Sequence, residues 1–115
     1  MNGYDIYKKA IARLGIDSGD EITLDNTGFL HILECTNQIL HDLKLNPVKE
    51  LSEEIMHDAS ALEAICCGVT MLLALSEGET EKNQIFTAIY NAKRAALLGK
   101  TSHIEDTLPV SESGD

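Results

Sequence analysis

The stretch Ser60-Ala-Leu-Glu-Ala-Ile-Cys-Cys-Gly-Val-Thr-Met-Leu-Leu-Ala-Leu-Ser-Glu77 decides how this chain folds. Leu62, Ile65, Cys66, Val69, Leu72 and Leu73 recur at helical spacing and form one stripe. Ala61, Ala64, Met71, Ala74 and Leu75 fill the other faces. A helix that is apolar all round is buried all round, so this segment reads as the centre of a core. Its uncharged run, Ala64 to Ser76, is 13 residues long. A bilayer needs about 20, so the run reads as a core helix and not as a membrane span. Ser60-Ala-Leu-Glu63 has the spacing of a capping box, in which the serine oxygen takes the N3 amide and the glutamate reaches back. Gly78 follows where a C-terminal stop belongs.

Three amphipathic helices flank it. The first covers about Tyr4 to Leu14, with Tyr4, Tyr7, Ile11 and Leu14 on one face and Gly15 as its stop. The second runs from about Thr27 to Leu45. Asp25, Asn26 or Thr27 can cap it. Its stripe is Phe29, Ile32, Leu33, Thr36, Ile39, Leu40 and Leu43. Pro47 ends it, because Asn46 before a proline disfavours helix. The third covers about Thr80 to Leu98, with Ile85, Phe86, Ile89, Ala92, Ala96 and Leu97 as its stripe and Gly99 as its stop. Glu79 and Glu81 suit its positive end, and Lys93, Arg94 and Lys100 its negative end.

The connections are polar. Residues 16–26 hold Asp17, Asp20, Glu21 and Asp25 among turn residues, and Glu21 to Leu24 could be extended. Residues 48–58 fit either a helical turn or an extended connector anchored by Leu51 and Ile55. From Thr101 to Asp115 the chain has four acids and no Lys or Arg. This stretch is expected to be a flexible acidic tail. The fold class is therefore all-α, a small bundle of four main helices around a central buried helix at about 60–77. A domain over 1–100 is followed by a tail over 101–115.

Composition narrows the function. The chain has 115 residues, enough for one domain. It has no Trp and few other aromatics, so Leu, Ile and Ala must build the core. The net charge is −10, which repels phosphate and leaves no basic nucleic-acid footprint. Cys35, Cys66 and Cys67 are odd in number, and two are adjacent within the apolar helix, so they read as reduced core thiols. The opening Met-Asn-Gly-Tyr-Asp lacks a basic segment followed by an apolar one, which reads against a signal peptide.

No chemical motif is complete. Glu54-Ile-Met-His57 has the Glu-x-x-His spacing of di-iron bundles, but those need two such motifs and two further glutamates. His31 and Cys35 share a helical face, yet zinc needs three or four ligands, and neither His41 nor Cys66–Cys67 is spaced to add them. A thiolate nucleophile at Cys66 would need electropositive, accessible surroundings. The loop at 17–25 lacks the alternating ligands of a calcium site. Asn37 reads equally as a polar anchor or as surface. No catalytic, cofactor-binding or metal residue is assigned, and no cofactor is expected; the chain reads as a non-enzyme.

Two stretches together carry a resemblance. One is Ala10-Ile-Ala-Arg-Leu-Gly15, a polar loop, then Thr36-Asn-Gln-Ile-Leu-His-Asp-Leu43. The other runs from Ala61 to Ala96, where the apolar helix ends in a Gly-acid turn and an amphipathic helix with a basic end follows. Residues 4–98 resemble the head–tail connector, or head-completion adaptor, proteins of tailed phages and prophages. Cys66–Cys67 departs from that pattern, which has bulkier or turn-like residues there. The resemblance implies a helical bundle that forms a homo-oligomeric ring beneath the portal. Such a ring extends the DNA channel and meets the next tail component, a stopper or tail protein. It implies a place in the virion, and in the bacterial cytoplasm during assembly. DNA would only pass through, sliding along an acidic wall. The tail at 101–115 would then be an arm that orders on the portal. The residues also fit another class, an acidic helical binding module that inhibits or regulates a protein partner.

Overall fold

The computed structural model describes residues 1–15 and 26–105, and the side chains of 1–15 and 28–99. They form four helices: α1 (Gly3–Arg13), α2 (Asn26–Asp42), α3 (Ala59–Ser76) and α4 (Thr80–Glu105). The all-α bundle expected from the sequence is the observed architecture. The α3 helix touches all three others, and α4 packs only on α3 among the helix backbones. The possible extended stretch at 21–24 and the acidic loop lie outside the described residues.

Local chemistry sets each boundary. Asn2 caps α1: its side chain accepts from the Asp5 amide, and the Asp5 carboxylate accepts from the Asn2 amide, both at 3.0 Å. The buried seam of α1 is Gly3, Ile6, Ala10, Ile11 and Leu14. Tyr4, expected on that seam, is 39 % exposed and meets Phe29 edge-on at 5.8 Å between ring centroids. Close approach explains the shift. The Gly3 amide donates to Leu51 O at 2.8 Å, and a Cβ at Gly3 would collide with the Leu51 side chain.

The α2 helix stops at Asp42, short of the expected Leu45. Lys44 takes a left-handed φ of 63°. Leu45 N then bonds Leu40 O and Lys44 N bonds His41 O, the pair of bonds that closes a Schellman motif. The α3 end is built the same way. Gly78 has φ 73°, Glu79 N bonds Ala74 O, and Gly78 N bonds Leu75 O.

Residues 48–58 are an irregular connector, not a helix. Val48, Leu51 and Ile55 are buried in it. Asn37 pins its start: its amide donates to Val48 O at 2.9 Å and its carbonyl oxygen accepts from Val48 N at 2.8 Å. An isolated antiparallel bridge joins Asn2 to Glu54, and Ile55 N bonds Met1 O. The polar residue that the sequence left undecided is therefore an anchor.

The start and surroundings of α3 differ from expectation. Asp58, not Ser60, is the N-cap, and its carboxylate accepts from Ala61 N at 2.8 Å. Glu63 is free of capping duty and pairs with Arg13 at 2.9 Å. Burial is unbroken from Ala64 to Val69 and on to Thr70. Thr70 is tolerated there because its hydroxyl bonds Cys66 O at 2.7 Å, as Thr36 bonds Ile32 O at 2.9 Å. Burial fails at the C-terminal end: Met71 and Leu72 are half-buried and Leu75 is 65 % exposed. By length and apolarity α3 could cross a membrane, but most of it is enclosed by the bundle.

The α4 helix does not stop at Gly99. It continues to Glu105, so the boundary expected at residue 100 falls within a helix. Gly99 has nothing against it and keeps a helical φ, and a lone glycine costs only about 1 kcal/mol in a helix. The expected tail beyond Glu105 lies outside the described residues.

Candidate functional surface

The residues with chemical potential are mostly absorbed by packing. Cys35, Cys66 and Cys67 are free and buried. Burial pushes all three thiols up, away from the thiolate form. His31 and Cys35 meet, with Nε2 and Sγ 3.8 Å apart, as their shared face implied. Cys67 Sγ lies 3.5 Å from Arg13 and 3.6 Å from Glu63, inside the Arg13–Glu63 ion pair. The Arg13 hydrogen bond holds the Glu63 carboxyl below the usual range. Glu54 and His57 lie in the connector and not on a helix, so they do not share a helical face. Glu54 instead pairs with the Met1 amine. Among the described residues no three His, Cys, Asp or Glu side chains converge as a metal-ligand set.

One polar cluster joins residues that the sequence analysis did not bring together. Asp42 Oδ2 accepts from the Tyr90 hydroxyl at 2.6 Å and from Arg94 Nε at 2.7 Å. The two donors lie one helical turn apart on α4, and that spacing is the signal a reading could have used. The Tyr90 hydrogen bond, with Arg94 behind it, lowers the Asp42 pKa. Burial and the Asp42 bond raise that of Tyr90.

This cluster sets the rotation of α4. Tyr90 is buried, and its ring fits over Gly68, where a Cβ would come within 2.9 Å of it. With Tyr90 inward, Phe86 and Leu97 are half-buried beside it. The stripe expected from spacing is thus split between two faces. Ile85 is 52 % exposed and Ile89 37 %. Ala88, Ala92, Ala95 and Ala96 are exposed with them. From Gln84 to Ala96 the exposed positions of α4 carry no charge, while exposed Glu81 lies one turn before Ile85 on the same face. The result is an apolar strip that no other part of the described chain covers.

Two clefts lie elsewhere. One, about 480 Å³ and wide open, sits between Tyr4, Phe29, Leu30, Leu33 and Leu51. The other, about 270 Å³, lies between Tyr7, Ile11, His31, Leu73 and Glu77. Among the described residues that line them, no acid and base share a hydrogen bond of the kind Asp42 and Arg94 make.

No family model matches this chain, and neither does any curated protein or any solved structure.

Proposed function

We propose that this chain is a structural, non-enzymatic protein of a tailed-phage or prophage particle, forming a ring that joins the portal to the tail and extends the DNA channel. The observation that carries the proposal is the bare strip of Ile85, Ala88, Ile89, Ala92 and Ala96 on α4. An apolar strip left in water gains free energy when another surface covers it, so it offers a place for a neighbour to dock. Its partner in the proposal is another copy of the chain, with the portal and the stopper or tail protein above and below. The acidic balance of −10 suits a lumen that DNA slides through.

The test is electron microscopy of the purified chain, alone at high concentration and mixed with portal. Rings in either sample support the proposal. A chain that stays monomeric or dimeric in both, and pulls down a single host protein, is instead the acidic binding module.

A further inference from the structure

Asn2 is the one asparagine of the sequence that a glycine follows; the others precede Thr27, Gln38, Pro47, Gln84 and Ala92. An Asn-Gly pair is chemically labile. The backbone nitrogen of the glycine can attack the side-chain carbonyl carbon of the asparagine, and glycine has no side chain to obstruct the five-membered ring that forms. The structure explains why this chain carries the pair. Position 2 caps α1, a duty that suits Asn. Position 3 must be glycine, because a Cβ there would lie 2.5 Å from Leu51 Cδ2 and 3.2 Å from Leu51 Cα. Capping and packing together place a labile pair at the start of the fold.

The same contacts hold each reacting group in another bond. Gly3 is buried, and its N–H donates to Leu51 O at 2.8 Å. The attack needs that nitrogen deprotonated and turned toward Asn2 Cγ. Asn2 Oδ1 accepts from Asp5 N at 3.0 Å, and Asn2 N donates to Asp5 Oδ2 at the same distance. Behind them Met1 O accepts from Ile55 N at 2.9 Å, the Met1 amine pairs with Glu54, and Asn2 bridges to Glu54. Residues 1–3 are thus tied both to α1 and to the connector.

We propose that Asn2 is a spontaneous deamidation site, locked by the α1 cap and the connector, that reacts only when residues 1–3 come away from Leu51 and Ile55. In the open state the Gly3 nitrogen bonds to Asn2 Cγ and gives its proton to solvent. The side-chain nitrogen takes a proton from solvent and leaves as ammonia. The product is a succinimide, and water then adds to one of its two carbonyl carbons. Opening at Cγ gives Asp at position 2 with the backbone unchanged. Opening at the main-chain carbonyl gives isoaspartate, whose backbone runs through the side-chain carbons.

The two products act differently on α1. Asp caps a helix as well as Asn does. Isoaspartate adds one methylene between residues 2 and 3, so the cap and the Gly3 bond to Leu51 cannot both re-form. A passing opening of the N-terminus is thereby made permanent. The inference stands apart from the ring reading and needs no second copy.

Mass spectrometry and peptide mapping of the purified full-length chain, incubated at mildly alkaline pH, test it. The unlocked rate is read from the peptide Met-Asn-Gly-Tyr-Asp and from the chain in guanidinium chloride. Both should deamidate many-fold faster than the folded chain. Asp5→Ala, at an exposed position, should speed the folded chain about five-fold, which corresponds to about 1 kcal/mol of lost locking. Glu54→Ala, also exposed, should speed it several-fold by freeing Met1. Circular dichroism checks that both variants retain their helices, and Asp5→Ala in the peptide should leave its rate unchanged. The isoaspartate fraction, separated by chromatography, should unfold at lower urea than Asn2→Asp, which should match the parent. Equal rates for folded chain and peptide overturn the lock. So do folded variants no faster than the parent, because the reaction then does not pass through this opening. No deamidation in the peptide or the denatured chain removes the site. Equal urea midpoints for the isoaspartate fraction and Asn2→Asp overturn the claim that the opening is made permanent.

Discussion

Lys44 holds the end of α2 in a conformation that a lysine side chain disfavours. Its φ of 63° is forced by the Schellman bonds from Leu45 to Leu40 and from Lys44 to His41. A left-handed L-residue costs roughly 1–2 kcal/mol, which glycine avoids, while glycine gains entropy in the unfolded chain. Lys44→Gly should therefore raise stability by about 0.5–1 kcal/mol, seen as a higher midpoint in urea with an unchanged slope. Tyr90 makes the opposite case. Tyr90→Phe removes one hydrogen bond and leaves Asp42 with Arg94 alone, at a cost of about 0.5–1.5 kcal/mol. It also acts on the acid limb. The folded pKa of Asp42 lies below its unfolded value, so its stabilisation is full above the unfolded value. That stabilisation disappears as pH falls through the folded one. The Tyr90 bond is the largest cause of that lowering. Tyr90→Phe should therefore move the acid loss of stability to higher pH, measured by urea unfolding between about pH 2 and 5.

At the scale of elements, caps separate what the sequence shows from what it hides. Ser60 and Glu63 have the spacing of a capping box, but Asp58 does the capping and Glu63 serves Arg13. Asp58→Ala should cost about 1 kcal/mol, and Ser60→Ala should fall within about 0.5 kcal/mol of no change, by thermal or urea unfolding. The four helices and the central place of α3 were legible because periodicity and turn glycines report local chemistry. The rotation of α4 was not. Ile85, Phe86, Ile89 and Tyr90 are all apolar enough to face inward, and a moment over such a helix points nowhere in particular. The choice falls to Gly68 on α3 and Asp42 on α2, which are 22 and 48 residues from Tyr90 along the chain. The same holds for Tyr4, displaced from the seam by contacts between Gly3 and Leu51. The strip was hidden for that reason: apart from Ala88, its residues Ile85, Ile89, Ala92 and Ala96 are ones the sequence assigns to the core. Gly68→Ala probes the packing directly. Its Cβ would come 2.8 Å from Ile39 and 2.9 Å from Tyr90, so overpacking should destabilise by about 1–3 kcal/mol in the same assay.

For the whole molecule the question is which apolar surface belongs to the fold and which to a neighbour. Full apolarity of α3 leaves a face for which residues 48–58 and another subunit are the two candidate covers. Val48, Leu51 and Ile55 enter the core, while Met71 stays half-buried and Leu75 exposed. A charge at Leu75 therefore has water to point into. Leu75→Glu should leave the helical signal and the urea midpoint within about 0.5 kcal/mol of the parent, as surface changes do. A charge at Ile89 should do the same for the isolated chain. The two variants should then part company at high concentration. Ile89→Asp places a charge in the apolar strip, so under the ring proposal it should abolish higher assemblies in analytical ultracentrifugation. Leu75→Glu lies outside the strip and should assemble as the parent does. If Ile89→Asp instead unfolds the chain, α4 is held by its outer face as well as its inner one, and the strip is core. If both variants assemble normally, the contact lies elsewhere on the molecule.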